Sequence, residues 1–250
     1  MLTSQRKQEI LALLTRQGQV VAKSLSEHYA VSEDTIRRDL RELAAEGLLL
    51  RVHGGALPAS PATGGMAQRL ALSGDAKQAI GATAAALVLP GQTVIIDGGT
   101  TALQLVRHLP LDLCATVVTH SPTVAVALEQ HTQIDVIIIG GRLFRHSMVA
   151  VGAAAIEALG RIRADTYFMG VTGVHLRAGL TTGDMEEAYV KRALAAQAAD
   201  TVVLASAEKL DAASRFQIGE LTLASSIVVE AGTAPALVAQ IEQLGVTVLF

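Results

Sequence analysis

A turn rich in glycine and threonine is the part of this sequence whose residue types could bind a ligand most directly. Asp97-Gly98-Gly99-Thr100-Thr101 follows an apolar, β-branched run and precedes an amphipathic helical pattern. Glycines let the backbone approach an anion, the N-terminus of the helix offers free N–H groups, and two hydroxyls add donors. The turn therefore predicts a phosphate cradle, although the same kind of turn also occurs for structural reasons alone.

Further polar segments fall where other predicted strands end, which is where ligands collect in open parallel sheets. They are Thr119-His120-Ser121, Gly140-Gly141-Arg142 and Ser206-Ala207-Glu208-Lys209. A fourth segment, residues 179–192, begins as a glycine-flanked loop and continues into a helix that carries Glu187 and Lys191 one turn apart. Taken alone, that spacing favours a surface ion pair, which contributes roughly a few tenths of a kcal/mol.

The N-terminal fifty residues indicate a different chemistry, because three arginines follow a predicted helix cap. Ser32 is a favourable N-cap for a helix that reaches residue 46, and Arg37, Arg38 and Arg41 can share one sector of that helix. Arginines in such positions bind phosphates or the edges of guanine bases. Acidic residues on the same helix also permit a solvated surface with internal ion pairs, so the charges alone do not decide.

The elements that must position these residues divide the chain into a helical part and an α/β part. Apolar spacing in residues 1–57 predicts three helices and then two short strands joined by His53-Gly54-Gly55. Residues 58–72 lack a sustained apolar period and contain several Pro, Gly and Ser residues, which predicts a linker. In residues 73–250, helical patterns alternate with apolar strands, which is typical of a parallel sheet. The predicted strands are 93–96, 115–118, 135–139, 166–169, 201–204, 227–229 and 246–249.

Composition limits the classes of protein to which the chain can belong. Of its 250 residues, 50% are hydrophobic and 17% are charged, which excludes a disordered chain. Aromatic residues make up 3%, too few for a base-stacking RNA surface. The single cysteine, Cys114, fits a reducing compartment and is predicted to be an inert core residue. Without a signal peptide or an apolar run near the ~20 residues of a membrane helix, a soluble cytoplasmic protein is expected.

Two motifs in the N-terminal part have a known family likeness. The first is Arg6, Ile10 and Leu14 followed by Ser32-x-x-Thr35-Ile36-Arg37-Arg38-Asp39-Leu40, and the second is Arg51-Val52-His53-Gly54-Gly55-Ala56. Together they resemble the helix-turn-helix and the wing of the DeoR family of bacterial transcriptional regulators. The resemblance implies that helix 32–46 enters the DNA major groove and that the wing contacts the neighbouring backbone or minor groove. The residues implied in DNA binding are Ser32, Thr35, Arg37, Arg38, Arg41, Arg51 and His53. For His53, a role in stabilising the turn is an equal alternative.

The likeness extends over the rest of the chain through Asp97-Gly-Gly-Thr-Thr, the pair Gly140-Gly141 and residues 184–191. These segments look like the family's sensor domain, which is similar in fold to ribose-5-phosphate isomerase and glucosamine-6-phosphate deaminase and typically responds to a phosphorylated sugar. The resemblance implies a phosphate held by residues 98–101, balancing lysines, and carboxylates for the sugar hydroxyls. The implied effector-binding residues are Asp97, Gly98, Gly99, Thr100, Thr101, His120, Gly140, Gly141, Asp184, Glu187, Lys191 and Lys209.

Departures from the family pattern bear on function. Where the isomerases carry a catalytic Asp-Gly-Ala-Asp-Glu segment, residues 170–175 read Gly-Val-Thr-Gly-Val-His and hold no carboxylate. Acid–base isomerisation needs a carboxylate at the substrate carbons, so an active isomerase is not expected. His120 stands where the family often has Asn, and Ala207-Glu208 stands where Ser is more usual before Lys209. Glu208 could repel a phosphate.

The net charge of −3 argues against a nucleic-acid binder until its distribution is considered. Residues 1–56 hold eight Lys and Arg against seven Asp and Glu, a net of +1, and the rest of the chain carries −4. The helical part is therefore nearly neutral, and three of its eight cations lie on the helix at 32–46. Nonspecific DNA affinity should be weak, and tight binding should need oligomerisation and a matching operator.

The sequence predicts an α/β protein with a winged helix-turn-helix domain at 1–57, a linker at 58–72 and a larger α/β sensor domain at 73–250. The leading hypothesis is a repressor of a carbohydrate-metabolism operon, a homo-oligomer (dimer or tetramer) that binds operator DNA under the control of a phosphorylated sugar. The alternatives are a sugar-phosphate isomerase or deaminase with an appended helical module, and a helical module that mediates protein contacts. No metal, cofactor or membrane contact is expected.

Overall fold

The computed structural model describes residues 2–250, and its N-terminal part is a three-helix module with a small antiparallel sheet. Its elements in chain order are α1 (Thr3–Gln17), β1 (Val20–Val21), α2 (Ala22–Tyr29), α3 (Glu33–Ala45), β2 (Leu49–Val52) and β3 (Gly55–Pro58). The strands are ordered β1-β3-β2, so β2 and β3 form the hairpin of a wing. The predicted winged helix-turn-helix fold is confirmed.

Local sequence explains why α3 and the wing form where they do. The Ser32 hydroxyl accepts a hydrogen bond from the backbone N–H of Thr35 at 3.2 Å, which satisfies a free donor at the start of α3. The apolar side chains of α3 that face the module's core are Ile36, Leu40 and Leu43. Gly55 lets β3 approach β1, because a Cβ there would lie 1.9 Å from the carbonyl oxygen of Val20.

The larger part is built on a sheet of parallel strands. Its strands in chain order are β4 (Thr93–Ile96), β5 (Ala115–Thr119), β6 (Ile134–Ile138), β7 (Arg142–Phe144), β8 (Val149–Val151), β9 (Ala164–Gly170), β10 (Gly173–His175), β11 (Gly179–Thr182), β12 (Ala198–Leu204), β13 (Phe216–Gly219), β14 (Ser226–Val228) and β15 (Thr247–Leu249). The seven strands of the main sheet lie in the order β15-β14-β12-β9-β4-β5-β6, and each neighbouring pair is parallel. Every strand predicted in residues 73–250 lies in this sheet, so the predicted fold class is confirmed.

Helices cover both faces of the main sheet, which is why its strands are continuously apolar. The helices are α4 (Met66–Ala71), α5 (Gly74–Ala85), α6 (Thr100–His108), α7 (Pro122–Ala127), α8 (Ala153–Leu159), α9 (Met185–Ala195) and α10 (Pro235–Gln243). Neighbouring residues of central strand β9 belong to opposite cores: Tyr167 packs in one and Phe168 in the other, and both are fully buried. Because the sheet is packed against a core on each face, the carboxyl ends of its strands are held at one edge.

Two smaller sheets were not predicted from the sequence. One is the antiparallel hairpin β7-β8, and the other has the order β10-β11-β13. Four of their five strands, β7, β10, β11 and β13, contain glycine or arginine and so lack an unbroken apolar run. The fifth, β8, is apolar throughout (Val-Ala-Val) but only three residues long.

The segment predicted to be a linker contains short helices and lies against the larger part. It contains a 3₁₀ turn (Pro61–Thr63) and α4, and we call residues 59–73 the strap. The Ser60 hydroxyl donates to the carbonyl oxygen of Thr172, and the backbone N–H of Ser60 donates to that of Ala213 at 3.2 Å. Arg69 Nη2 donates to the carbonyl oxygen of His146 at 2.6 Å. The segment therefore connects the two parts while being held to one of them.

The N-terminal module also contacts the larger part directly. His175, at the end of β10, has its Nε2 3.1 Å from the carbonyl oxygen of Gly18, and Arg177 Nη1 donates to the side-chain oxygen of Gln19 at 2.8 Å. Gly18 and Gln19 form the turn between α1 and β1. The small sheet β10-β11-β13 therefore supports the helix-turn-helix module.

Cys114 is a correction to the sequence analysis, because it is exposed rather than buried in the core. It precedes β5, at the end where the strand enters the sheet, so the apolar residues that follow it are covered and Cys114 is not. Within residues 2–250, no helix has both the length and the apolar character needed to cross a membrane. In the same range, no three His, Cys, Asp or Glu side chains lie together as metal ligands would.

Candidate functional site

A cleft opens at the carboxyl ends of the adjacent strands β4, β9 and β12. Its floor includes Gly98 and Gly99, which follow β4, and Thr100 and Thr101, which begin α6. Gly99 has a φ of +120°, which other residues rarely adopt, and a Cβ on Gly98 would lie 2.2 Å from the Val149 side chain. The glycines thus bring the free backbone N–H groups at the start of α6 to the cleft wall.

Four cationic side chains line the cleft, and all are buried. They are Arg69, Lys77, Lys191 and Lys209. Carboxylates balance Lys191, whose ammonium contacts Asp97 and lies 3.6 Å from Glu187. Lys77 instead donates to two backbone carbonyl oxygens, at 2.6 and 2.5 Å. Among the residues that the structure describes, Lys191 forms ion pairs within 4 Å, and the other three cations of the cleft do not.

Lys209 and Arg69 have unused capacity to bind an anion. The pKa of Lys209 is lowered to about 8, chiefly by burial and also by the charges of Lys77, Arg69 and Lys191. Its Nζ lies 3.4 Å from the hydroxyl of Thr101. Burial also lowers the pKa of Arg69, whose buried Nε has no hydrogen-bond partner among the described residues. An anion between these groups would satisfy the donors and stabilise the charged form of Lys209.

Two carboxylates complete the polar lining of the cleft. Glu187 accepts a hydrogen bond from the hydroxyl of Thr182. Glu208 accepts from the hydroxyls of Ser206 at 2.6 Å and Ser73 at 2.8 Å, and these bonds keep its pKa low although burial alone would raise it. A ligand that combines one anionic end with several hydroxyls matches this distribution of acceptors and cations.

Asp97 lies beneath the cleft as the acceptor of a buried polar network. Its carboxylate is fully buried, and five groups donate to it. The donors are the backbone N–H groups of Gly98 (2.7 Å) and Gly170 (2.8 Å), His120 Nε2 (2.8 Å), the Tyr167 hydroxyl (3.0 Å) and Lys191 Nζ. Burial alone would raise the pKa of Asp97, but Lys191 and the hydrogen bond from His120 hold it well below its usual range. Asp97 thus fixes the side chains that surround the cleft.

The structure brings together about half of the effector-binding residues predicted from the sequence. Those that line the cleft are Gly98, Gly99, Thr100, Thr101, Glu187, Lys191 and Lys209. The others lie outside the lining: Asp97 and His120 are buried under it, Asp184 caps α9 by accepting from the backbone N–H of Glu187, and Gly140 and Gly141 lie in the exposed turn before β7. Asp97, His120 and Asp184 thus contact residues that line the cleft or support one another beneath it, whereas, within residues 2–250, Gly140 and Gly141 have no contact with it.

Arg69 and Lys77 are cleft residues that sequence reasoning missed. Arg69 belongs to the segment expected to be a linker, and Lys77 lies in the Ala-rich helix α5. The available signal was that Lys77 is a lone cation among the apolar residues of an otherwise buried helix face. No spacing rule relates either residue to the turn at 97–101.

The exposed side of α3 is the candidate DNA-binding surface. Arg37 forms ion pairs with Glu33 at 2.8 Å and Asp34 at 3.4 Å. Arg38 and Arg41 are exposed, and no hydrogen bond or ion pair is found for them within residues 2–250. Two of the three predicted arginines are therefore available to phosphates or base edges.

The wing presents two further polar side chains, and a buried ion pair supports α3 from below. Arg51 lies on β2, and His53 is in the turn that follows; both are exposed. Asp39 points away from this surface and accepts from Arg6 Nε at 2.6 Å, with both side chains buried. Asp39 therefore binds Arg6 of α1 and not an arginine of the candidate DNA-binding surface.

Comparison with known protein families gives two matches that together span most of the chain. Residues 6–62 match the DeoR-like helix-turn-helix domain, and residues 73–231 match the DeoR C terminal sensor domain. The first includes the candidate DNA-binding surface, and the second includes the strand ends around the cleft.

Curated relatives match over nearly their full length. The HTH-type transcriptional regulator GlpR of Haloferax volcanii is 34% identical, covering 100% of this chain and 98% of its own. The glycerol-3-phosphate regulon repressor of Escherichia coli K12 is 30% identical over 91% of each chain. The HTH-type transcriptional repressor GlcR of Bacillus subtilis is 31% identical, covering 88% of this chain and 86% of its own.

Among solved structures, ribose 5-phosphate isomerase A from Methanocaldococcus jannaschii gives a TM-score of 0.41 at 20% identity. The overlap covers 55% of this chain and 54% of that one.

Proposed function

Since the chain belongs to the DeoR family of transcriptional regulators, we propose that it represses a carbohydrate-metabolism operon and that a phosphorylated sugar in its cleft controls this repression. The chain is a DNA-binding regulator and not an enzyme, because its curated relatives are named as regulators and repressors. Its place of action would be the cytoplasm, where operator DNA is found.

We propose that α3 reads the operator through Ser32, Thr35, Arg38 and Arg41, with Arg51 and His53 of the wing on the neighbouring backbone. The support is geometric: the N-terminal turns of α3 are exposed, and Arg38 and Arg41 project from the side opposite its buried face. Arg37 would first have to leave Glu33 and Asp34. A short helix contacts only a few base pairs, so we also propose that the chain binds as a homo-oligomer, a dimer or a tetramer, across two half-sites.

Replacing Arg38 with alanine should weaken binding to the protein's own promoter region about 10-fold, because one arginine contact to a base or phosphate is lost per half-site. A mobility-shift assay measures this. Arg107→Ala is the matched control, since Arg107 is an exposed arginine on α6 of the larger part. An unchanged shift with Arg38→Ala and Arg41→Ala combined would contradict DNA binding through α3.

The observation that carries the effector proposal is the pair of buried, under-satisfied cations beside a helix N-terminus. Lys209 and Arg69 have free donors in the same cleft as the first turn of α6, and α6 has the N–H groups that bind phosphate. Glu187 would accept from sugar hydroxyls on the far side. A thermal-shift screen of sugar phosphates tests this, because a ligand at 100 times its Kd stabilises the native state by about 2.7 kcal/mol.

The affinity for a sugar phosphate should depend on pH in a way that Lys209 sets. Its pKa of about 8 means that it is mostly charged below pH 8 and increasingly neutral above, so the affinity should fall as the pH rises from 8 to 9.5. The phosphate itself loses its second charge below about pH 6, which gives an optimum between these limits. Titration calorimetry at several pH values measures the profile. In Lys209→Arg, which stays charged, the fall above pH 8 should disappear; its persistence would assign the pH dependence to another group.

A further inference from the structure

A second and much larger cavity lies between the N-terminal module and the larger part, lined by other residues than the cleft. Its volume is about 1150 Å³, which exceeds the roughly 300–1,000 Å³ of most sites for small molecules. The module contributes strand β2 of the wing to its lining, and the larger part contributes residues of β11 and β13. Ala59 and Ser60 of the strap also line it. We call this cavity the wing groove.

Strand β2 meets the wing groove along its edge. All four of its residues, Leu49–Val52, line the groove. Successive side chains of a strand point to opposite faces, so a cavity that touches four residues in a row runs along the edge of that strand. On the other side, Gln217 of β13 and its partner Thr181 of β11 line the groove, as residues on one face of a sheet do. The groove therefore lies between the edge of one sheet and the face of another.

The edge of β2 has backbone groups that are free to pair. In the sheet order β1-β3-β2, β2 is paired on one side. Val52 and Gly55 pair across a two-residue turn, so they exchange hydrogen bonds, and bonded pairs alternate along an antiparallel ladder. The N–H and C=O groups of Leu49 and Arg51 therefore point outward, and within residues 2–250 no backbone partner is found for them. Pro58 stands opposite Leu49 and has no N–H to donate, which agrees with this assignment.

The neighbouring edge of β13 is covered, in contrast to that of β2. Arg192 of α9 donates from Nη1 to the carbonyl oxygens of Gln217 at 3.1 Å and of Ile218 at 3.2 Å. An uncovered edge can pair with a strand from another chain, and proteins usually block such edges. At the wing groove, β2 thus keeps an edge that can accept a further strand.

The charges that line the wing groove favour an acidic occupant. Three arginines line it, Arg51, Arg177 and Arg215, against one carboxylate, Glu220. Arg177 binds Gln19, but in the described part of the chain neither Arg51 nor Arg215 has a hydrogen bond or an ion pair. The whole chain carries a net charge of −3, so this cationic lining is a local exception. Such an exception is complementary to a partner that carries carboxylates.

We propose that the wing groove binds an extended, acidic segment of a partner protein, which adds a strand to the edge of β2. The backbone groups of Leu49 and Arg51 pair with the segment, and four residues of edge, at about 3.4 Å each, hold about four residues of it. A carboxylate opposite Arg51 lies on the same face as the guanidinium, since directly paired residues share a face. Arg177 and Arg215 line the side of the groove that belongs to the larger part.

Two other occupants agree less well with the groove. Nucleic acid is anionic too, but it lacks the regularly spaced N–H and C=O groups that pair with a strand edge. The β2 strand of a second copy would bring another Arg51 into a groove that already holds three arginines, and like charges disfavour a cross-strand pair. Backbone pairing and charge together thus select an acidic polypeptide.

A library of random nonapeptides, displayed on phage and selected on the full-length protein, tests the chemistry of the occupant. Selected peptides should carry Asp or Glu at alternate positions among apolar residues and lack internal proline, which removes a ladder donor. By fluorescence anisotropy, Arg215→Ala should bind them about 2- to 5-fold more weakly, the effect of losing one exposed ion pair. Arg107→Ala, at an exposed arginine of α6, is the matched control and should bind like the wild type. Selection of basic or neutral sequences, or of none, would overturn the proposal.

Two measurements on the tightest acidic peptide test the pairing with β2. Hydrogen exchange of the wild-type protein should slow at the amides of Leu49 and Arg51 when the peptide binds, because these donors gain partners. N-methylation of one alternate set of peptide amides should abolish binding, and methylation of the other set should leave it nearly unchanged, since an added strand pairs through one edge. If the two amides exchange as fast as before, or if both methylated peptides fail to bind, strand addition is refuted.

The same exchange measurement identifies the other two occupants. Protection of Leu49 and Arg51 that grows with protein concentration, without any peptide, would assign the groove to a second copy of the chain. Protection of these amides by a short DNA duplex of random sequence would assign it to nucleic acid. Either result would overturn the acidic partner, and neither bears on the effector cleft, which shares none of its described lining residues with the wing groove.

Discussion

Asp97→Asn should lower the free energy of unfolding of the sensor part by about 3–5 kcal/mol, the range for removing one member of a buried ion pair. The carboxylate is fully buried and accepts from five donors, so an amide leaves the charge of Lys191 facing only Glu187 and turns its own N–H₂ toward other donors. Urea unfolding at pH 7 measures the loss. Asp135→Asn, an exposed carboxylate on edge strand β6, should change stability little.

Two further measurements distinguish the loss of the Asp97 charge from an unspecific disruption of the packing around it. The pKa of Asp97 is held below its ordinary value, so its contribution to stability is complete above about pH 4 and is lost as the pH falls toward its native-state pKa. The gap in stability between wild type and Asp97→Asn should therefore shrink from pH 6 to pH 3. In addition, Lys191→Met combined with Asp97→Asn should recover part of the loss. A gap that stays constant with pH would refute the electrostatic explanation.

Arg6→Met should destabilise the helix-turn-helix module by about 3–5 kcal/mol and so abolish DNA binding while leaving the sensor part folded. Arg6 and Asp39 join α1 to α3 at 2.6 Å, and their side chains are 6% and 0% exposed. The replacement keeps the length of the buried stem but leaves the Asp39 carboxylate without its partner. Differential scanning calorimetry should resolve an early transition for this module, and ligand-induced stabilisation of the later one should remain.

The chain supplies a matched control on the same two helices. Lys7 and Glu42 also join α1 to α3 at 2.6 Å, but their side chains are 21% and 47% exposed. Lys7→Met should therefore have a much smaller effect, because water and salt screen an exposed pair. Equal effects of the two substitutions would show that burial is not what makes the Arg6–Asp39 pair important.

The features that sequence reasoning predicted well are those that depend on neighbouring residues. The strands of the main sheet are buried on both faces, which leaves an unbroken apolar run in the sequence. Ser32 was predicted as a cap because a cap needs only a hydroxyl three residues before its donor. The turn at 97–101 was likewise found from the glycines and hydroxyls that the cleft uses.

The features that were missed depend on contacts between distant residues. Asp97 stands beside the glycines and threonines of the turn, where a carboxylate is expected to bind the ligand. Its hydrogen-bond donors include Tyr167 and Lys191, which lie 70 and 94 positions away in the sequence. These bonds bury Asp97 beneath the cleft, where it holds the side chains around the cleft in place. Arg69 stands in a stretch whose glycine and proline content is typical of a linker, and its position over the cleft depends on its bond to His146, 77 positions later. No local pattern encodes such a pairing.

The contact between the two parts at Gly18 and Gln19 does not involve α3, the helix that we propose reads the operator. His175 binds a main-chain oxygen, which is present whatever side chains surround it, and Arg177 needs one amide group from Gln19. Both contacts lie on the turn after α1 rather than on α3. Chimeric regulators in which α3 is exchanged for that of a relative, with Asp39 and the apolar face kept, should therefore retain the original docking and respond to the proposed effector at a different promoter. The turn at Gly18 and Gln19 could thus connect exchanged DNA-binding helices to the same sensor part in engineered biosensors.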